Sequence, residues 1–245
     1  MVIRKILTGV LIMISVLFLA FQIFQFEVEA AGMRVLLIIF LTTLYCYEVK
    51  NRRFYFLAFL TTFGIAEIIN FISCVAPGFL RTGIDYIYYS ANSLYILSYV
   101  FLTIQILRSM NLMHIIKKFP FHILIMAVLD VFFVFIVTDT TLDRLSYTQY
   151  FMEFVYNSVI MILMTVALIN YIDKDDKKSI NLLIGSVFIV FAEVIQLAYF
   201  YITNINVLNV IYSLFILLGF LFFFLQSRLN YQTPEDKRLY QDLLY

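Results

Sequence analysis

Two short stretches carry the groups best suited to chemistry. "AEIIN" at 66–70 and "AEVIQ" at 192–196 each place a glutamate, Glu67 or Glu193, inside a long apolar run, with an amide three residues further on. An acidic side chain at the centre of a membrane helix costs roughly 2.5–3.5 kcal/mol on insertion scales, which marks it as a candidate functional group. Positions three apart share a helical face, so Asn70 and Gln196 are placed to hydrogen-bond the acid of their own helix. Two carboxyl groups suit acid–base work: a neutral acid delivers a proton, and an anion stabilises positive charge or activates water.

Other polar groups fall at a similar depth. "NSLY" contributes Asn92 and Tyr95, "EFVYN" contributes Glu153, Tyr156 and Asn157, and "NVIY" contributes Asn209 and Tyr212. Asp130 stands near the middle of a further apolar run. The candidate catalytic pair is Glu67 and Glu193. Asn70, Asn92, Tyr95, Asp130, Glu153, Tyr156, Asn157, Gln196 and Tyr212 are the candidate substrate contacts. The competing use of such Asn, Gln and Tyr residues is interhelical hydrogen bonding. Two acids at one depth are harder to explain in that way.

The elements that must position these groups are transmembrane helices. Of 245 residues, 63% are hydrophobic and 13% charged, far too little charge for a soluble domain of this size. Apolar runs lie at about 6–25, 32–47, 53–74, 84–107, 119–138, 148–171, 179–201 and 205–226, most of them close to the length needed to cross a bilayer. The expected fold is therefore all-α, a polytopic transmembrane bundle of eight helices over residues 1–229, with a short polar tail at 230–245. Glu67 and Glu193 each lie fourteen residues beyond the expected start of their spans. At 1.5 Å per residue, both fall about 21 Å from that boundary.

Orientation follows from Lys and Arg. With both termini in the cytoplasm, fourteen of seventeen basic residues lie inside, leaving Arg34, Arg81 and Arg144 outside. The alternative is a cleaved secretory signal at the N-terminus, which leaves seven spans; the first apolar stretch is long for a signal peptide. "AEIIN…NSLY" against "AEVIQ…NVIY" suggests a parallel internal repeat, the third and fourth spans matching the seventh and eighth.

Several functions are disfavoured. The formal net charge of +1 gives no basic field for nucleic acid, and the seven glycines form no phosphate loop. Cys46 and Cys74 read as ordinary thiols, and His114 and His122 lack companions at metal-binding spacing, so no metal and no cofactor are expected.

The second half of the chain resembles the YhhN-type lysoplasmalogenase-like membrane proteins. Gly185 stands eight residues before Glu193, the spacing of the family's glycine and acid, with Ala192 and Glu193 replacing its Ser and Asp. Ala66 and Glu67 match an earlier Gly-Asp pair, and Asn92 and Tyr95 match the family's His-x-x-Tyr. The resemblance implies an eight-span fold and hydrolysis of the vinyl-ether bond of lysoplasmalogens. It also implies a lysophospholipid as the membrane-lipid partner and a bacterial inner membrane as the location. This chain departs from the family pattern where both aspartates are glutamates and the histidine is an asparagine, positions that bear on the activity more than on the fold. The alternative function is a non-catalytic membrane sensor or lipid-binding module acting with a partner chain. A proton-coupled transporter is a third option, disfavoured because Pro77, Pro120 and Pro234 all lie at or beyond span edges.

Overall fold

Long apolar runs bounded by polar stops become helices with well-defined ends. The computed structural model describes residues 2–50, 52–76 and 86–229. The expected loop at 77–83 with Arg81, and the expected tail at 230–245, lie outside the described residues. Nine α-helices are present among them: α1 (Val2–Ile23), α2 (Glu27–Glu48), α3 (Phe54–Val75), α4 (Tyr86–Leu107), α5 (Leu112–Lys118), α6 (Pro120–Asp139), α7 (Tyr147–Lys174), α8 (Lys177–Leu197) and α9 (Asn206–Ser227). A π-helical turn, Ala198–Ile202, extends α8. All except α5 are long and apolar enough to cross a membrane. This is the architecture of an integral, multi-pass membrane protein.

Local chemistry sets the ends. Ser146 and Gln149 form a capping box at the start of α7, and Asp176 and Ser179 form another at the start of α8. Between them Asp175 adopts a left-handed conformation with φ 46°, so the turn from α7 into α8 takes only two residues. Pro120 begins α6, where its missing N–H is harmless.

Two boundaries differ from the expectation. α2 begins at Glu27, not 32, because Glu27 and Glu29 complement the positive end of the helix dipole in its first turn. Arg34, expected two residues from the outer end of its span, therefore sits about two turns inside α2. The stretch "NLMHIIKK", read as a loop, holds the seven-residue α5, whose first turn is capped by the Asn111 side chain accepting from the His114 N–H.

Contacts between helices define a closed ring in the order α1, α2, α3, α4, α7, α8, α9 and back to α1. α6 stands outside the ring, packed on α7, and most of its large apolar side chains face outward. Small residues bring α8 and α9 together: a Cβ on Gly185 would lie 2.7 Å from the Phe223 ring, and one on Gly219 would lie 2.9 Å from Ile189. Close approach through glycine is a recurrent way to pack helices in lipid, where burial from water does not drive association. At the end rich in Lys and Arg, Glu48 of α2 pairs with Arg4 of α1 at 2.9 Å and with Arg228 beyond α9 at 2.8 Å. At the other end Asn209 donates to Gln22 at 3.0 Å, joining α9 to α1. Asn209 thus serves as helix glue.

Candidate functional site

The interior of the ring is filled in one half and hollow in the other. Toward the basic end, Phe59 stacks on Phe220 with centroids 5.6 Å apart, and Phe223 meets Phe59 edge-on at 5.7 Å. Phe63 closes over this cluster, 4.6 Å from Phe220 and 5.0 Å from Tyr95. Above these rings lies a cavity of about 460 Å³, a usual size for a small-molecule site. Its walls come from α2, α3, α4, α7, α8, the π-helical turn and α9.

The cavity gathers residues far apart in sequence. Glu67, Asn70, Asn92, Tyr95, Glu153, Tyr156, Glu193, Gln196 and Tyr212 all line it. Glu67 and Glu193 are buried at its floor, 2% and 6% exposed, while Tyr201 and Phe200 belong to its rim. Two candidates take other places. Asp130 is half-buried on the peripheral α6, where the Thr165 hydroxyl lies 2.8–2.9 Å from both carboxylate oxygens, and it is not part of the cavity wall. Asn157 turns away to donate to the Thr138 hydroxyl at 3.1 Å, joining α7 to α6. Neither side chain lies in this cavity's wall, for one reason. Depth along a helix was legible, but the direction each side chain faces depends on which helix is its neighbour.

The partners of the two acids differ. Arg34 reaches from α2 to Glu67, with Nε 2.6 Å from Oε2. The pair is a close charge contact whose N–H is not aligned for a hydrogen bond. Arg34 also donates through Nη1 to the Tyr212 hydroxyl at 2.8 Å, linking α2 to α9. The Tyr95 hydroxyl is a further hydrogen-bond partner of Glu67. Glu193 meets hydroxyl groups instead: Tyr99 donates to it at 3.3 Å, and Tyr156 stands beside it in the cavity wall. Among the described residues no cationic group lies within 4 Å of Glu193. Glu153, nearer the rim, accepts from Tyr88 at 2.9 Å. Asn92 donates its amide to the Tyr88 carbonyl one turn back on its own helix, at 2.9 Å.

Arg34, Tyr88 and Tyr99 are site residues that the sequence alone did not reveal. Arg34 stood only two residues inside the expected second span (32–47), where a basic residue reads as a charge at the membrane edge. The extra signal was "EVEAAG" before it, whose two acids suit a helix start upstream. Tyr88 and Tyr99 are two of eighteen tyrosines, and nothing in their spacing separates them from packing residues.

Among the described residues the cavity thus presents three carboxyl groups, one guanidinium and several phenol hydroxyls around a closed aromatic floor. No three His, Cys, Asp or Glu side chains converge to hold a metal ion among the described residues. The arrangement can orient a polar group, exchange protons with it and stabilise a developing positive charge. Compared with known proteins, the chain matches no family model, no curated protein and no solved structure.

Proposed function

We propose that this protein is a membrane hydrolase that cleaves the vinyl-ether bond of a single-chain lysophospholipid, with Glu193 as proton donor and Glu67 as the anionic partner. One observation carries the proposal: two buried glutamates from distant helices line one cavity, and among the described residues only one of them has a cation in contact. An ion pair with Arg34 requires Glu67 as the carboxylate. Glu193, buried and with no cation within 4 Å among the described residues, is the group free to enter the reaction protonated.

The reaction then runs as follows. Glu193 transfers its proton to the outer carbon of the C=C–O unit, leaving an oxocarbenium ion that faces the Glu67 carboxylate. Water adds to the cationic carbon and returns a proton to Glu193. The resulting hemiacetal breaks its C–O bond to release a fatty aldehyde and the glycerophospho-alcohol. One water is consumed and both carboxyl groups end as they began. The closed floor supports a reaction chamber over a through-path, because Phe59, Phe63, Phe220 and Phe223 fill the ring below the acids. The positive-inside pattern supports a cavity that opens toward the extracytoplasmic side, with both termini in the cytoplasm. The internal repeat belongs to the same reading. Helices α2–α3–α4 and α7–α8–α9 follow one another around the ring in the same order.

The test is aldehyde release from a lysoplasmalogen by the purified protein, beside Glu67→Gln and Glu193→Gln. Loss of an acid that moves a proton in the transition state is expected to slow turnover by about 10²–10⁴-fold. A second reading, a lipid-binding module without turnover, is favoured by the Arg34 pair, which also makes sense as structural glue. Specific lysolipid binding with no aldehyde from the wild-type protein selects that reading and rejects the hydrolase.

A further inference from the structure

Glu193 stands in the wall between two hollows. On one side is the polar cavity. On the other is a narrow apolar crevice where α6, α7 and α8 meet, lined by Phe133, Val134, Ile160, Met161, Val190 and Val194. The crevice belongs to the one place where a spanning helix stands outside the ring. Two side-chain hydrogen-bonded contacts join α6 to α7, Asn157 to Thr138 and Thr165 to Asp130. As the helices stand, the free space there is only about 10 Å³, roughly one water.

We infer that this crevice is the slot for the lipid's hydrocarbon chain, opened when α6 swings away from α7 and α8. The inference rests on the proposal that a single-chain lipid occupies the cavity. A polar head in the cavity and a chain in the crevice must join at Glu193, which sets the first carbons of the chain against the proton donor. The lining is apolar apart from Asn157 and Glu193, as a chain requires, and α6 already faces outward with a wide apolar surface. A chain therefore enters from the membrane without crossing water. The bond from Asn157, a residue of the crevice wall on α7, to Thr138 on α6 is the latch that a chain must open.

A lysophosphatidylcholine bearing a diazirine halfway along its chain tests this in nanodiscs holding the full protein. Met161 and Val190 are 6% and 7% exposed, so bilayer lipid does not reach them while α6 is seated. Phe132 and Ile136, 60% and 51% exposed on α6, report ordinary lipid contact. The expected result is labelling at Met161 and Val190 that excess unlabelled lysolipid suppresses, with labelling at Phe132 and Ile136 unchanged. Val190→Trp, which fills the crevice, should weaken lysolipid binding by at least about tenfold, since each buried methylene contributes a factor of about four. It should leave binding of chainless glycerophosphocholine unaltered.

Aldehyde release without protected labelling at Met161 or Val190 overturns the slot and leaves the hydrolase standing. Protected labelling without aldehyde release keeps the slot and removes the hydrolase. Neither signal removes both.

Discussion

The arc α2–α3–α4 and the arc α7–α8–α9 answer the same requirement in different ways. Each buries a glutamate on its middle helix, at the floor of the same cavity, with an amide three residues on. In the first arc the preceding helix sends a guanidinium, Arg34, to the acid. In the second, the preceding helix sends the Tyr156 hydroxyl to Glu193. The packing differs too. α3 fills the centre of the ring with Phe59 and Phe63, whereas α8 stays slim at Gly185 so that α9 can approach. One acid is fixed as part of the scaffold, and the other is left with partners that can follow a change in its charge. The neighbour, more than the local motif, decides what a buried acid does.

The largest effect expected from this contrast is on Arg34. Removing one partner of a buried ion pair leaves an uncompensated charge, which costs about 3–5 kcal/mol. Arg34→Ala should therefore lower stability sharply in detergent, measured as a fall in unfolding temperature. Arg34→Ala with Glu67→Ala should recover part of that loss, because no charge is then stranded. Equal stability of wild type and Arg34→Ala would show that Glu67 is no more anchored than Glu193.

Gly185 offers an intermediate effect. A Cβ there meets the Phe223 ring at 2.7 Å and the Gly219 carbonyl at 3.2 Å, so neighbours must shift even for alanine. Overpacking of this kind typically costs about 1–3 kcal/mol. Gly185→Val should separate α8 from α9 and loosen the second arc, with Glu193 two turns above it. The first arc, whose contacts are aromatic, should keep its Arg34–Glu67 pair. Thermal unfolding, together with protection of Glu67 from a carboxyl-modifying reagent, measures both. A variant as stable as wild type would mean that the helices do not rely on the glycine contact.

Much of this architecture was legible in the sequence, for physical reasons. A bilayer forces each span to be a long apolar helix, so hydropathy located all eight. The depth of Glu67 and Glu193 followed from counting residues at a fixed rise. Neighbour relations were hidden, because lipid-facing and helix-facing surfaces are equally apolar and leave little periodic signal. The position of α6 outside the ring, and with it the fate of Asp130 and Asn157, was therefore not readable. Arg34 was overlooked because it fell at the very edge of the expected span, whereas the helix starts about two turns before it. Gly185 was singled out only by the family resemblance, but the reason for a glycine there appeared when Phe223 and Gly219 were found against it.

The smallest effect belongs to the tyrosines around Glu193, and it probes the second arc most directly. Tyr99 and Tyr156 both address one carboxyl group. If they share the task, losing one hydroxyl leaves the other in place, and Tyr99→Phe should cost no more than about 0.5–1.5 kcal/mol, the usual net value of one hydrogen bond. Tyr156→Phe should behave alike. The double variant should cost more than the sum of the two, since only then is a buried carboxyl left without a partner, and residues in one network couple by about 0.5–3 kcal/mol. Strict additivity in such a cycle would mean that the two hydroxyls act separately, and Glu193 would then lack the shared environment that sets it apart from Glu67.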